Sequence, residues 1–265
     1  MEIQLRDQLG NRHSFPQSPK RIVSLVPSQT ELLYDLGLEE KIVGITKFCV
    51  HPLHFKATKK IVGGTKKVNV DKIAELKPDI IIANKEENTQ EIVESLWEIA
   101  AVWVTDIVTI DDNLKMIQDF GHLFNCRTEA QKWIDKTNFG LYDFKAFMKD
   151  RPSFRVAYFI WKNPHMVAGG GTFINEMLQL NNFVNIYAER ERYPEIIIQK
   201  MRIQGDPEIV LLSSEPYPFK DEDAFELGRF THHAKTIFVD GEMFSWYGSR
   251  LVKAFAYFKQ LQERL

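Results

Sequence analysis

The chain states one pattern twice, and that duplication constrains its fold more than any other feature. Lys77-Pro78-Asp79-Ile80-Ile81-Ile82-Ala83-Asn84-Lys85-Glu86 is answered by Asp206-Pro207-Glu208-Ile209-Val210-Leu211-Leu212-Ser213-Ser214-Glu215, with prolines and final glutamates both 129 positions apart. Nearer the start of each half, Arg21-Ile22-Val23-Ser24-Leu25-Val26-Pro27 pairs with Arg155-Val156-Ala157-Tyr158-Phe159-Ile160-Trp161 at an offset of 134. Each half therefore opens with a buried strand and later brings a Pro-acid-apolar strand to an acidic end. Between the halves, from Thr128 to Asp150, Ala130, Trp133, Ile134, Thr137, Leu141, Phe144 and Met148 recur at helical spacing. Thr128 with Gln131 predicts a capping box there, and Pro152 stops the helix. The expectation is an α/β fold: two similar lobes with mostly parallel sheets joined by one long backbone helix, with a cleft between them. The first lobe covers residues 1–125 and includes a starting hairpin, the bridging helix 126–150, and the second lobe 151–265.

Strand and helix patterns alternate along the chain, as parallel sheets require. Ile3 and Leu5 alternate with polar residues before Asp7-Gln8-Leu9-Gly10-Asn11, which predicts the hairpin. Ser28 with Glu31 reads as a capping box for a helix ended by Gly37. Helices are predicted over 70–76, 91–99 and 113–124, and a closing one from Ser249. At 265 residues the chain is long enough for two cores, and a net charge of −2 gives no pull toward nucleic acid or an anionic membrane. No apolar run approaches a membrane span. Cys49 and Cys126 cannot make a disulfide framework. The opening Met-Glu-Ile-Gln-Leu-Arg-Asp lacks the basic and apolar regions of a secretion signal, which leaves a cytoplasmic chain or a trimmed export signal.

In open parallel sheets, ligands collect beyond the carboxyl ends of the strands. Those ends carry Phe48, Trp161, Tyr217, Phe219, Phe244, Trp246 and Tyr247, standing beside Pro, Gly and Asn rather than inside strands. They either plug the junction of the lobes or grip a wide, flat, largely apolar ligand, and the second reading is preferred. Cys49-x-His51 offers a thiolate and an imidazole to a metal, but two ligands one residue apart make no site alone. A buried thiol and a hydrogen-bonded imidazole are preferred, with axial contact to a chelated metal left open. His232-His233 reads as solvated, and His165 stays open. Glu86, Glu87 and Glu215 read as loop-end acids ahead of an acid–base pair. Ser28 lacks a nucleophile elbow and reads as an N-cap. Gly169-Gly170-Gly171-Thr172 matches no phosphate-loop motif and reads as a tight turn. Arg250 suits a ligand carboxylate or phosphate as well as a surface ion pair.

Lys20-Arg21-Ile22-Val23-Ser24-Leu25-Val26-Pro27-Ser28-Gln29-Thr30-Glu31 resembles the opening of the helical-backbone class of ABC-importer substrate-binding proteins, which carry iron–siderophore, haem or cobalamin. Val43-Gly44-Ile45-Thr46, Glu75 to Ala83, Asp206 to Leu212 and the hairpin with Asp7 and Gly10 fit the same pattern. The resemblance covers almost the whole chain and is nearest to the cobalamin-binding branch. It places that branch's cleft aromatics at Phe48, at Tyr193 ahead of Pro194, and near Trp246. The branch's first-lobe tryptophan falls at or near Thr65, so one stacking surface is missing. The acids that the family presents to its permease fall at Asp71 and Gln199, an incomplete pair.

These observations predict a binding protein rather than an enzyme, holding a bulky metal chelate (cobalamin ahead of haem or ferric siderophore) with no covalently held cofactor and no protein metal site. The predicted ligand residues are Phe48, Cys49, His51, Trp161, Tyr193, Tyr217, Trp246, Tyr247, Arg250 and Ser28. The resemblance implies a periplasmic or cell-envelope monomer with an ABC permease as partner, and no nucleic acid or transmembrane segment. The alternatives are a cytoplasmic acid–base enzyme on the same scaffold, using Glu86, Glu87 or His51, and a free-metal binder using Cys49, His51 and His165.

Overall fold

A computed structural model describes residues 2–265. The chain divides into two compact units, Met1–Asn138 with Tyr247–Leu251, and Phe139–Trp246 with Val252–Leu265.

The first unit opens with the antiparallel hairpin β1 (Ile3–Arg6) and β2 (Arg12–Phe15). Then follow β3 (Ile22–Ser24), α1 (Pro27–Asp35), β4 (Ile42–Ile45), α2 (Phe55–Thr58), β5 (Lys60–Ile61), α3 (Val70–Glu75), β6 (Ile80–Asn84), α4 (Gln90–Leu96), β7 (Ala101–Thr105) and α5 (Ile110–Leu123). The sheet runs β5-β4-β3-β6-β7 and every pairing in it is parallel. Helices on the faces leave the strands dry on both sides, which is why β3 and β6 read as unbroken apolar runs and are buried throughout. Val23, Leu25, Ile73, Ile81, Leu96 and Val104 share one core, each side chain contributing roughly 1.5–3 kcal/mol on burial.

Helix α6 (Arg127–Met148) carries the chain from the first unit into the second, the division falling after Asn138. Its predicted stripe is real: Ala130, Thr137, Phe144 and Met148 are buried, and Trp133, Ile134 and Leu141 half-buried. The capping box is not. Gln131 bonds Asp135 instead (2.8 Å), and Ala130 N–H reaches the Cys126 carbonyl, so the helix starts one residue earlier.

The second unit continues with β8 (Phe154–Trp161), β9 (Met166–Val167), α7 (Phe173–Leu180), β10 (Phe183–Asn185), β11 (Ile209–Ser213), α8 (Asp221–Gly228), β12 (Lys235–Val239) and α9 (Gly241–Ser245). The closing α10 (Leu251–Gln262) begins on the last residue assigned to the first unit. The order β10-β8-β11-β12 is parallel, with β9 folded back antiparallel on β8. Helix α8 and a 3-10 stretch, Ile198–Gln204, were not predicted.

The sequence duplication is a duplicated joint at the amino ends of the two sheets. Asp79 Oδ2 accepts the N–H groups of Lys20 (2.7 Å) and Arg21 (3.0 Å), while the Arg21 guanidinium donates to the Leu76 and Lys77 carbonyls just past α3. Glu208 Oε2 likewise accepts Arg155 N–H (2.8 Å), and Arg155 Nε donates to the Gly205 and Asp206 carbonyls. Lys77 and Asp206, each ahead of its proline, both take left-handed backbone, φ 45° and 40°. Proline disfavours right-handed helix in the residue before it, which ends each helical stretch here, and the left-handed residue turns the chain sharply in both units.

Candidate functional site

At the carboxyl end of the first sheet, β3 passes directly into α1. The helix begins at Pro27, with Val26 as its cap and no side-chain cap bond, so Ser28 is not the predicted N-cap. Proline at the first helical position presets φ and removes an N–H that would lack a partner. Glu31, the other half of the expected box, points elsewhere: Arg250 clasps it bidentately (2.7 and 3.0 Å), both side chains about 95% buried. The Arg250 ion pair is thus internal, not at the surface.

Arg250 lies in a short segment, Tyr247–Leu251, that belongs to the first unit although it follows the second in sequence. Gly248 N–H donates to Asn113 Oδ1 (2.6 Å), and its φ of 84° suits glycine alone, with Leu32 Cβ only 3.3 Å from where a Cβ would stand. The buried Tyr247 hydroxyl accepts from Gln29 Nε2 (3.1 Å). Burial, followed by the charge of Glu87, raises its pKa; bonds to Gln29 and Ser28 act in the opposite sense. Gln29 also donates to Thr105, which takes a second bond from Asn84. Asn84 Oδ1 in turn accepts the N–H groups of Glu86 and Glu87, and Asn88 ties this loop to the Thr65 carbonyl. The result is a buried polar layer under the loops.

Phe48 stands at the corner of the turn closed by Cys49 N–H to Thr46 O (3.1 Å). Its ring is 49% exposed, lies against Gly64 and carries the Lys47 ammonium 4.9 Å from its centroid. Cys49 is fully buried, its thiol between Thr30 Oγ1 (3.1 Å) and Thr46 Oγ1 (3.3 Å), and burial pushes its pKa up. A neutral thiol is a poor metal ligand. His51 is half-buried nearby in sequence. Among the described residues no group of three or more His, Cys, Asp or Glu is gathered to hold a metal ion.

In the second unit the β8–β9 hairpin carries Trp161, 39% exposed, edge-on to Tyr217 (5.8 Å), which packs on Phe219 (4.8 Å). Lys162 fixes the same hairpin to α8 through Asp223 (2.5 Å) and Glu226 (2.8 Å), and these bonds raise its pKa. His165 packs edge-on to Phe159, and burial lowers its pKa. Tyr193 is half-buried, one residue before the Pro194 carbonyl that pairs with β9. Trp246 is 7% exposed, and its indole Nε1–H donates to Glu215 Oε1 (2.8 Å).

Gly169 and Gly170 donate their N–H groups to the Arg192 and Arg190 carbonyls (both 2.7 Å), so this run closes on the chain itself rather than on a phosphate. A cavity of about 400 Å³ opens at the opposite, amino-terminal ends of the strands, lined by Arg155, Asp206, Glu208, His232, His233 and Lys235. His232 is bonded there to Asp206 (2.7 Å) and so is not merely solvated. Asp71 is exposed on α3 and Gln199 on the 3-10 stretch. No described helix is long and apolar enough to cross a membrane.

Sequence reasoning missed Glu31 as the partner of Arg250; an acid inside the otherwise apolar Leu32, Leu33, Leu36 row was the available signal. It also missed Lys162, for which no sequence signal exists.

Two α/β units with parallel sheets, an interposed long helix and aromatic carboxyl-end loops define a class of binding proteins, and the chain belongs to the periplasmic binding protein family, whose profile matches residues 22–227. It is similar to the uncharacterized ABC transporter substrate-binding lipoprotein YvrC of Bacillus subtilis, 26% identical over 265 residues, covering 95% of this chain and 82% of that one. It is also similar to the vitamin B12-binding protein of Vibrio cholerae, 26% identical over 200 residues, covering 75% and 72%. The crystal structure of the periplasmic vitamin B12 binding protein BtuF of Vibrio cholerae shares the fold, with a TM-score of 0.80 at 21% identity, covering 94% and 100%.

Proposed function

We propose that this chain is the substrate-binding protein of an ABC-type importer and delivers a bulky metal chelate, cobalamin ahead of haem or ferric siderophore, to a membrane permease outside the cytoplasm, without catalysing a reaction. The observation that carries the reading is the pair of large rings left half-exposed at the carboxyl ends of the strands, Phe48 in one unit and Trp161 in the other. A flat apolar ligand that stacks on such a ring takes its face out of water. Phe48 and Tyr193 are the proposed anchors, joined by Trp161 with Tyr217 behind it, and by Trp246 through the small part of its indole that the fold leaves exposed. His51, three residues on from Phe48 and half-buried, is the proposed candidate for contact with a chelated metal.

Ser28, Cys49, Tyr247 and Arg250 take a different part in this reading. All four are buried, and Cys49, Tyr247 and Arg250 are bonded to neighbours of the first unit. They hold the first unit together at the carboxyl end of its sheet. The vitamin B12-binding relative favours cobalamin, while Thr65, where the resemblance expects a stacking tryptophan, supplies no ring. The test is a visible-absorbance titration of the purified chain with cyanocobalamin and with haemin. Saturable one-to-one binding of either, abolished or weakened by Phe48→Ala, is expected. Failure to bind both, or turnover that depends on Glu86, Glu87 or His51, would overturn the reading.

A further inference from the structure

Trp246 hangs from a half-buried carboxylate, and the surrounding residues are arranged to keep it there. Glu215 Oε1 accepts Trp246 Nε1–H at 2.8 Å and the Ser245 hydroxyl at 3.1 Å. Gly241, the first residue of α9, makes room for this: a Cβ there would stand 2.6 Å from Glu215 Cγ and 2.4 Å from Ser213 Oγ. The Ser213 hydroxyl reaches the Glu215 carbonyl (2.6 Å), fixing the backbone beneath the side chain. The acid therefore has one place to go, and the indole N–H is aimed at it. We propose that Glu215 is a positioning residue for Trp246, setting the plane of the indole and making its hold on ligand depend on pH. This rests on the reading of Trp246 as a ligand anchor.

The titratable groups facing Glu215 are Asp240 and Glu242 at the start of α9, and the fully buried Tyr158 of β8; Tyr257 of α10 reaches Asp240 N–H. Burial, then the charges of Glu242 and Asp240, push the Glu215 carboxyl above its usual range, against the bonds from Ser245 and Trp246. As the pH falls through that raised value the carboxylate gains a proton. A charge-assisted N–H···O bond then becomes a neutral one of roughly half the strength. The indole loosens, and affinity falls.

The experiment follows the Trp246 indole N–H resonance in 15N-tryptophan-labelled protein, assigned by its loss in Trp246→Phe, from about pH 8 down to about pH 4, below the ordinary glutamate value. In parallel, the Kd is measured for whichever of cyanocobalamin and haemin the chain binds. Expected are a titrating resonance in the wild type and a parallel weakening of about three- to tenfold toward acid, the ratio between charged and neutral bonds. In Glu215→Gln, which keeps shape and a neutral acceptor, the resonance stays at its acid position and the Kd profile goes flat. Ser245→Ala removes a bond that lowers the carboxyl pKa, so both midpoints move to higher pH. A pH-independent resonance, or a wild-type Kd profile retained in Glu215→Gln, would sink the proposal. If neither chelate binds the wild type, the transport reading fails separately, and the resonance alone still decides whether Glu215 holds the indole.

Discussion

The two units agree at the amino ends of their sheets and differ at the carboxyl ends. At the amino ends an arginine and an acid three strands' worth of chain apart make the same joint twice, down to the left-handed residue before each proline. At the carboxyl ends the first unit runs β3 straight into α1 over a buried polar layer, while the second extends β8 to eight residues and folds it back as a hairpin under Trp161. What is shared builds a sheet, and what is not shared can recognise a ligand. A floor of bonded polar groups suits rigid display of a single ring, Phe48. A row of rings backed by Phe219 suits a broad apolar contact.

The largest expected effect breaks the first unit's floor. Arg250→Met leaves the Glu31 carboxylate buried without its bidentate partner, and loss of one member of such a pair costs about 3–5 kcal/mol. Urea denaturation should show that drop, and adding Glu31→Leu should recover much of it. A change below 1 kcal/mol, on the order of an exposed pair, would mean that the segment 247–251 is not anchored by this contact.

Next come the rings. Phe48→Ala and Trp161→Ala should each weaken chelate binding by about 1–3 kcal/mol, as loss of a large aromatic contact does. Both side chains are substantially exposed, so stability should move by less than about 0.5 kcal/mol. If one substitution abolishes binding and the other leaves it unchanged, the two rings do not have equal parts and the comparison is wrong.

The hairpin, the long buried strands and the stripe of α6 were legible, because burial on two faces or on one helical face writes itself into local periodicity, whereas the short β5, β9 and β10 were missed, being too brief to show a period. The capping boxes at Ser28 and Thr128 were misread because a local motif lost to a nearer or stronger partner: Pro27 at the first position, Arg250 for Glu31, Asp135 for Gln131. The true box, Thr109 with Asp112, was overlooked because the helix was read as beginning at Asn113, past both of its residues. Arg250 and Glu31 are 219 positions apart, and no periodicity records such a pairing. The aromatic loops could be located from the sequence; which rings stay exposed could not, since that depends on neighbours such as Gly64 and Tyr217 brought in by the fold.

The hairpin is another asymmetry, and acid should expose it. Burial tends to raise the Asp7 carboxyl pKa, but bonds from His13, Asn11 and Val104 outweigh it and hold the value below the usual range. A depressed carboxylate stabilises the fold fully above the unfolded value, and that contribution is lost as pH falls through the lower folded value. Asp7→Asn should therefore cost about 1–2 kcal/mol near neutrality and progressively less below about pH 4. Urea midpoints across that range test it; an equal cost at every pH would assign the loss to packing.

The smallest effect tests the likeness itself. Arg21→Ala and Arg155→Ala each strip donors from carbonyls that the preceding helical turns leave without an internal partner. Both arginines are exposed, so water replaces much of what is lost, and each should cost only about 0.5–1 kcal/mol. The informative quantity is their difference. Arg21 reaches two carbonyls at 3.1 Å or less, whereas Arg155 Nε makes its two at 3.2 and 3.3 Å, so the first substitution should cost slightly more. Each substitution should act on the unit that holds it, so hydrogen exchange should rise in β3 and β6 for one and in β8 and β11 for the other. Exchange rising in both units from either change would show that the two joints, alike in construction, do not act as separate ones.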